Sequence, residues 1–140
     1  MSKLLSKIAK GGKPLPSRTF LLGMEGIGKT TFGANAPNPL FITSEDGLSE
    51  FPEVQRFNPE NWENVKSVVA ELLGEDKTEF KTLVFDTSDW LERMIYDWVC
   101  ADAGTDDINK AYGGYGKGHD RATTELVVLL RSLDLLRAKH

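Results

Sequence analysis

The stretch GMEGIGKT at residues 23–30 matches the pattern G-x-x-x-x-G-K-[ST] at every fixed position, and it narrows the chemistry of this chain more than any other feature. The pattern works through the backbone. Gly23, Gly26 and Gly28 permit turn conformations closed to other residues. The N–H groups of the loop, those of Glu25 and Ile27 among them, then converge on a phosphate at the positive end of the helix that follows. Lys29 adds a point charge for the β- and γ-phosphates, the Thr30 hydroxyl is placed to ligate Mg²⁺, and Thr31 offers the next hydroxyl to the α-phosphate. A glycine-rich turn matching by coincidence would lack the right neighbours. Here an apolar run, TFLL at 19–22, precedes the loop and a helical stretch follows it. The loop therefore predicts a nucleoside triphosphate ligand, ATP with Mg²⁺.

The surrounding pattern is that of an α/β domain. TFLL (19–22), LFIT (40–43) and TLVF (82–85) are short, continuous apolar runs, as expected of strands buried on both faces of a parallel sheet. Helices are predicted at 29–36, stopped by Pro37 and Pro39, and at 61–73, with Trp62, Val65, Val69 and Leu72 at helical spacing. A third is predicted at 88–101, with Ser88 as its N-cap and the apolar pairs Trp90/Leu91, Met94/Ile95 and Trp98/Val99 on one broad face. Residues 103–118 read as a polar, glycine-rich loop. A last helix is expected at 119–139, with Ala122, Leu126, Leu129, Leu133 and Leu136 on its inner side. Strands alternating with helices imply a parallel sheet covered by helices.

Two acidic residues close predicted strands. Asp86 ends KTLVFD, the pattern of a carboxylate at the carboxyl edge of a sheet, where open α/β folds bind ligands. It would hold Mg²⁺ there, together with Thr30. The plainer reading is a cap for the following helix. Glu45 ends FITSE, and a carboxylate at that place could orient and deprotonate a water attacking the γ-phosphate. On spacing alone Asp46 competes with it, and the whole Glu45, Asp46, Gly47 stretch could be a polar turn.

With 140 residues the chain suits one domain: residues 17–140, preceded by a basic arm at 1–16 that ends in the Gly/Pro-rich KGGKPLP. The net charge of −4 excludes a uniformly basic nucleic-acid binder but not a local basic patch. No apolar run approaches the roughly 18 residues that span a bilayer. A single cysteine, Cys100, excludes an intrachain disulfide and a cysteine-built zinc site, and it fits a reducing cytoplasm. His119 and His140 lack metal-ligand spacing.

The phosphate loop, ITSEDGL at 42–48, LVFDTSDWL at 83–91 and GYGKG at 114–118 occur in the order seen in one phage family. Over residues 14–140 the chain resembles the RecA-like P-loop NTPases of bacteriophages, the AAA-type ATPases and Sak-type single-strand annealing proteins. The resemblance implies ATP hydrolysis dependent on Mg²⁺, action on single-stranded DNA in recombination, and a ring or filament of identical subunits with an arginine acting in trans. Arg121, Arg131 and Arg137 are available for that role. It also favours Glu45 over Asp46 as the water-activating residue, with Lys29 and Asp86 completing the catalytic set. The segment with Tyr115, Lys117 and His119 becomes a DNA contact, aromatics stacking on bases and Lys117 meeting a phosphate.

RecA-like domains continue, after a helix like 119–139, into a further core strand between the phosphate-loop strand and the strand ending in Asp86. No apolar run remains here to supply it, so a RecA-like sheet truncated at its C-terminus is expected. The runner-up function is a P-loop nucleotide or small-molecule kinase. Such enzymes bring several arginines to the transferred phosphate, whereas Arg18, Arg56, Arg93, Arg121, Arg131 and Arg137 are scattered. A GTPase is disfavoured because Asn109-Lys110 is followed by Ala111-Tyr112 and not by the guanine-reading Asp.

Overall fold

The structure, a computed structural model, describes residues 5–8, 10–12 and 14–140. Part of the expected arm, residues 1–4, 9 and 13, lies outside the described residues; Leu5–Lys7 form a 3-10 turn. The described residues build the expected α/β architecture around one parallel sheet. β1 (Pro39–Ile42) is central, flanked by β2 (Gln55–Phe57) and β3 (Thr82–Phe85) in the order β2-β1-β3. Leu40, Phe41 and Ile42 stand opposite Gln55, Arg56 and Phe57 on one side and Leu83, Val84 and Phe85 on the other. Phe41 and Ile42 are fully buried. β3, an edge strand, is half-buried along its length.

Four helices cover the sheet: α1 (Lys29–Ala34), α2 (Trp62–Gly74), α3 (Ser88–Ala103) and α4 (Lys117–Lys139). The last three form one layer. Trp62, Val65 and Val69 of α2, Trp90, Leu91, Ile95 and Val99 of α3, and Ala122 and Leu129 of α4 pack into one core with Ile42, and Leu83 and Phe85 close against it. α1 lies on the other face. A Cβ at Gly33 would come within 3.0 Å of the Phe41 ring and 3.1 Å of Val84, so the glycine lets the short helix sit flush on β1 and β3. Seating α1 in this way fixes where the phosphate loop ends.

α2 starts at its predicted place because Asn61 caps it, its side-chain oxygen accepting from the Asn64 N–H at 3.0 Å. At α3 the cap position belongs to Thr87 and not to Ser88, which is the first helical residue. The helix runs on to Ala103, where Gly104 at φ 66° ends it.

Three sequence expectations are corrected. Residues 19–22 join no strand, and Phe20 and Leu22 are 74% and 82% exposed. An apolar run becomes a strand only with a neighbour to pair with, and β3 pairs with β1 alone among the described strands. The third strand is instead Gln55–Phe57, too short and too polar to stand out in sequence. The inner stripe of α4 changes at one position: Ala122 and Leu129 are buried and Leu133 packs against the core as expected, but Glu125 is buried in place of Leu126, which is 38% exposed. Finally, the presumed loop at 103–118 is shorter, since α4 begins at Lys117 and a 3-10 turn occupies Ala111–Gly113. Among the described residues, no helix is long and apolar enough to cross a membrane.

Glu125 displaces Leu126 because its carboxylate is satisfied where it is. It accepts from the Trp62 indole N–H at 2.9 Å, pairs with Arg121 at 3.0 Å, and lies 3.7 Å from the Lys66 ammonium. This cluster ties α2 to α4 in the core. Glu125→Ala leaves the buried indole N–H without its acceptor and should lower stability by about 1–3 kcal/mol, read as a fall in the urea midpoint at unchanged m-value. A change within error would show that the cluster contributes nothing.

Candidate functional site

All three strands run in parallel, so their carboxyl ends meet at one edge, and the phosphate loop reaches the same edge through α1. The ladder itself carries the strand ends there: the Asp86 N–H donates to Ile42 O at 3.3 Å, and the Thr43 N–H to Phe57 O at 3.1 Å. Residues 43–45 and 86–87 consequently stand side by side.

The loop turns with the Ile27 N–H donating to Met24 O at 3.4 Å, and the Phe32 N–H donating to Gly28 O at 2.9 Å opens the helix. Gly28, at φ 100°, sits immediately before α1, in a conformation that side chains with a Cβ disfavour. The Ile27 side chain leans over Gly23, where a Cβ would meet it at 2.8 Å. Lys29 folds back over the loop, donating to Gly23 O at 2.8 Å and Met24 O at 2.9 Å. The Thr30 hydroxyl donates to Asp86 Oδ2 at 2.7 Å. Thr31 is exposed beside it, and its carbonyl accepts from the Asn35 amide at 2.8 Å.

The two acids after β1 part ways. Glu45 Oε1 accepts from the Thr87 hydroxyl at 3.5 Å, next to Asp86. The Asp46 side chain is 99% exposed and faces Arg56 of β2 at 3.8 Å, towards the far side of the sheet. Hydrogen bonds thus tie Thr30 to Asp86 and Glu45 to Thr87, the residue after Asp86, while Lys29 folds over the loop and Asp46 turns to Arg56.

The donor set can be tested against a hydrated divalent cation with phosphates. Thr30 and Asp86 present hard oxygen atoms already within hydrogen-bond reach of each other. Among the described residues no cluster of three or more His, Cys, Asp or Glu side chains gathers. Mg²⁺ is commonly bound through one or two protein oxygens, with waters and substrate phosphates filling the remaining positions, so the residues present fit it.

Tyr115, Lys117 and His119 do not join this group. Lys117 and His119 open α4, with Tyr115 just before it, beside the C-terminal half of α3. Tyr115 is 98% exposed and held at φ 55°. His119 bonds Asn109 at 3.2 Å and meets the Tyr96 ring edge-on at 5.4 Å. Lys117 lines an open depression with Asp102, Tyr112, Asp120, Arg121 and Thr124. There the Tyr112 hydroxyl donates to Asp102 at 2.5 Å, which pushes the phenol pKa above its usual value. Burial, with Asp97, Asp107 and Asp106 nearby, pushes the Cys100 thiol up, away from the reactive thiolate.

Sequence reasoning missed Thr43 and Thr87. Both follow strands, and the only available signal was a hydroxyl close to each acid, Thr87 next to Asp86 and Thr43 two residues before Glu45. Residues 15–139 match the family model described as an AAA domain. No curated protein and no solved structure matches the chain. If Thr30 and Asp86 share a cation, Asp86→Ala should remove most of the difference between ATP affinity with Mg²⁺ and with EDTA, about tenfold, as measured by calorimetry. An undiminished difference would separate Asp86 from the metal.

Proposed function

The chain belongs to the AAA domain family, a family of P-loop nucleotide-binding ATPases, and on that premise we propose that it binds ATP with Mg²⁺ and serves as the ATPase of a phage RecA-like protein acting on single-stranded DNA. The observation that carries the nucleotide part is the 2.7 Å hydrogen bond from Thr30 to Asp86, which joins the phosphate loop to the tip of β3. The loop N–H groups of residues 23–31 cradle the β-phosphate. The Lys29 ammonium exchanges its bonds to Gly23 O and Met24 O for phosphate oxygens. Thr30 and Asp86 hold Mg²⁺, which when bound neutralises charge on the β- and γ-phosphates. Glu45 orients a water and takes its proton. Its place beside Thr87, at the tip of the central strand, supports that role over Asp46.

The RecA-like reading is supported by the free edge of β3 and by residues 19–22, an apolar run leading into the loop without a partner strand. A further strand between them would complete the sheet. The DNA reading is supported by Tyr115, an exposed aromatic displayed among glycines beside Lys117. In an oligomer, an arginine reaches the neighbour's nucleotide. Arg121 and Arg137 are paired with Glu125 and Asp134, which leaves Arg131 as the one of the three without an ion pair among the described residues.

Lys29→Ala should abolish the heat of ATP binding in calorimetry, and unchanged binding would overturn the nucleotide assignment. Lys117→Glu should weaken single-stranded DNA binding several-fold and make it less salt-dependent; no change would remove the DNA contact. ATP turnover should rise when single-stranded DNA is added, whereas phosphoryl transfer to an added nucleotide would favour a kinase.

A further inference from the structure

Thr43 stands where β1 ends, 2% exposed, and its hydroxyl uses both of its hydrogen-bonding capacities on the two acidic strand ends. It donates to the backbone carbonyl of Asp86 at 2.7 Å and accepts from the backbone N–H of Glu45 at 3.0 Å. The regular β1–β3 ladder has run out at this level: Ile42 opposite Phe85 is the last paired position, and the Asp86 N–H to Ile42 O is the last ladder bond. The hydroxyl therefore continues the pairing by one step and then turns it, joining Asp86 to the chain that carries Glu45.

We propose that Thr43 is a positioning residue, a buried hydroxyl bridge that holds the Asp86 and Glu45 backbones in the relative arrangement needed to present both carboxylates to one nucleotide. The inference rests on the nucleotide-binding reading above and adds to it a residue that touches neither phosphate nor metal. The physical reason is short leverage. The Asp86 carboxylate hangs two bonds from a backbone whose carbonyl is held by Thr43, and it meets Thr30 at 2.7 Å. Glu45 lies on an exposed turn, where its N–H would otherwise bond to water and its carboxylate would wander from Thr87. Valine has the shape of threonine without the hydroxyl, so it keeps the packing and removes both bonds. Serine keeps the hydroxyl and removes only a methyl group.

The test compares wild type, Thr43→Val and Thr43→Ser for ATP affinity in Mg²⁺ and in EDTA by calorimetry. Affinity in EDTA reports the loop, which Thr43 does not touch. Thr43→Val should keep the EDTA affinity and lose most of the strengthening by Mg²⁺, about tenfold, while Thr43→Ser restores it. A wild-type Mg²⁺ response in Thr43→Val overturns the proposal. So does a Thr43→Ser response as poor as that of Thr43→Val, because packing would then be the whole role. Amide exchange on the ligand-free wild type, resolved by NMR, tests the bridge without nucleotide and without any variant. The Glu45 N–H should exchange at least tenfold more slowly than the neighbouring exposed amides, and an unprotected Glu45 amide overturns the proposal even if Thr43→Val fails to fold. A wild-type chain that binds no ATP but protects Glu45 refutes the nucleotide reading and with it the proposed purpose of the bridge, leaving the bridge itself in place.

Discussion

Parallel pairing of Pro39–Ile42 with Thr82–Phe85, with Ile42 opposite Phe85, brings the chemistry of this chain to one edge. The direction of both strands places Thr43 and Glu45 after one and Asp86 and Thr87 after the other, within hydrogen-bond reach. The loop comes to the same edge because Gly33 lets α1 lie flat on Phe41 and Val84. A slip of one residue between β1 and β3 would carry Asp86 away from Thr30 and Thr43 and turn each side chain to the wrong face.

The other face depends on an unusual apportioning of polar groups. Trp98 donates to Glu63 at 2.8 Å and receives the Lys66 ammonium and the Arg121 guanidinium over its ring at 4.7 and 5.1 Å. The Lys66 hydrogen bond holds the Glu63 carboxyl below its usual range. Arg121 continues to Glu125, and Glu125 to Trp62. Three helices are thus joined by alternating charge and aromatic rings as well as by apolar packing. The same interactions explain why the buried stripe of α4 runs through Glu125 and not through Leu126.

Two regions stand apart from the sheet edge. The segment with Tyr115, Lys117 and His119 lies beside the C-terminal half of α3, where His119 meets Tyr96 and Lys117 lines a depression with Asp102. Near the loop, Phe20, Leu22, Met24, Ile27 and Phe32 are exposed. Arg18 anchors the start of this stretch to Asp134 of α4 at 3.1 Å, which holds the lead-in near the domain without enclosing it.

The loop, two of the strands and the four helices could be read before folding was considered. Each rests on local physics: glycines where the backbone turns, apolar runs of strand length, and helical spacing of Trp62, Val65 and Val69. The AAA-type ATPase part of the resemblance was legible in the same way. The features that could not be read this way depend on partners distant in the chain. Gln55–Phe57 is a strand because β1 offers it a ladder, and residues 19–22 are not one because nothing pairs with them. Glu125 is buried because Trp62 and Arg121 satisfy it. Glu45 and Asp46 are adjacent in sequence and alike in chemistry, and the folded chain gives them different neighbours, Thr87 for one and Arg56 for the other. The phosphate loop was visible as a motif from its first glycine; its union with Asp86 at 2.7 Å required the sheet, because hydrogen bonds between residues 56 positions apart exist only once the backbone has been brought together.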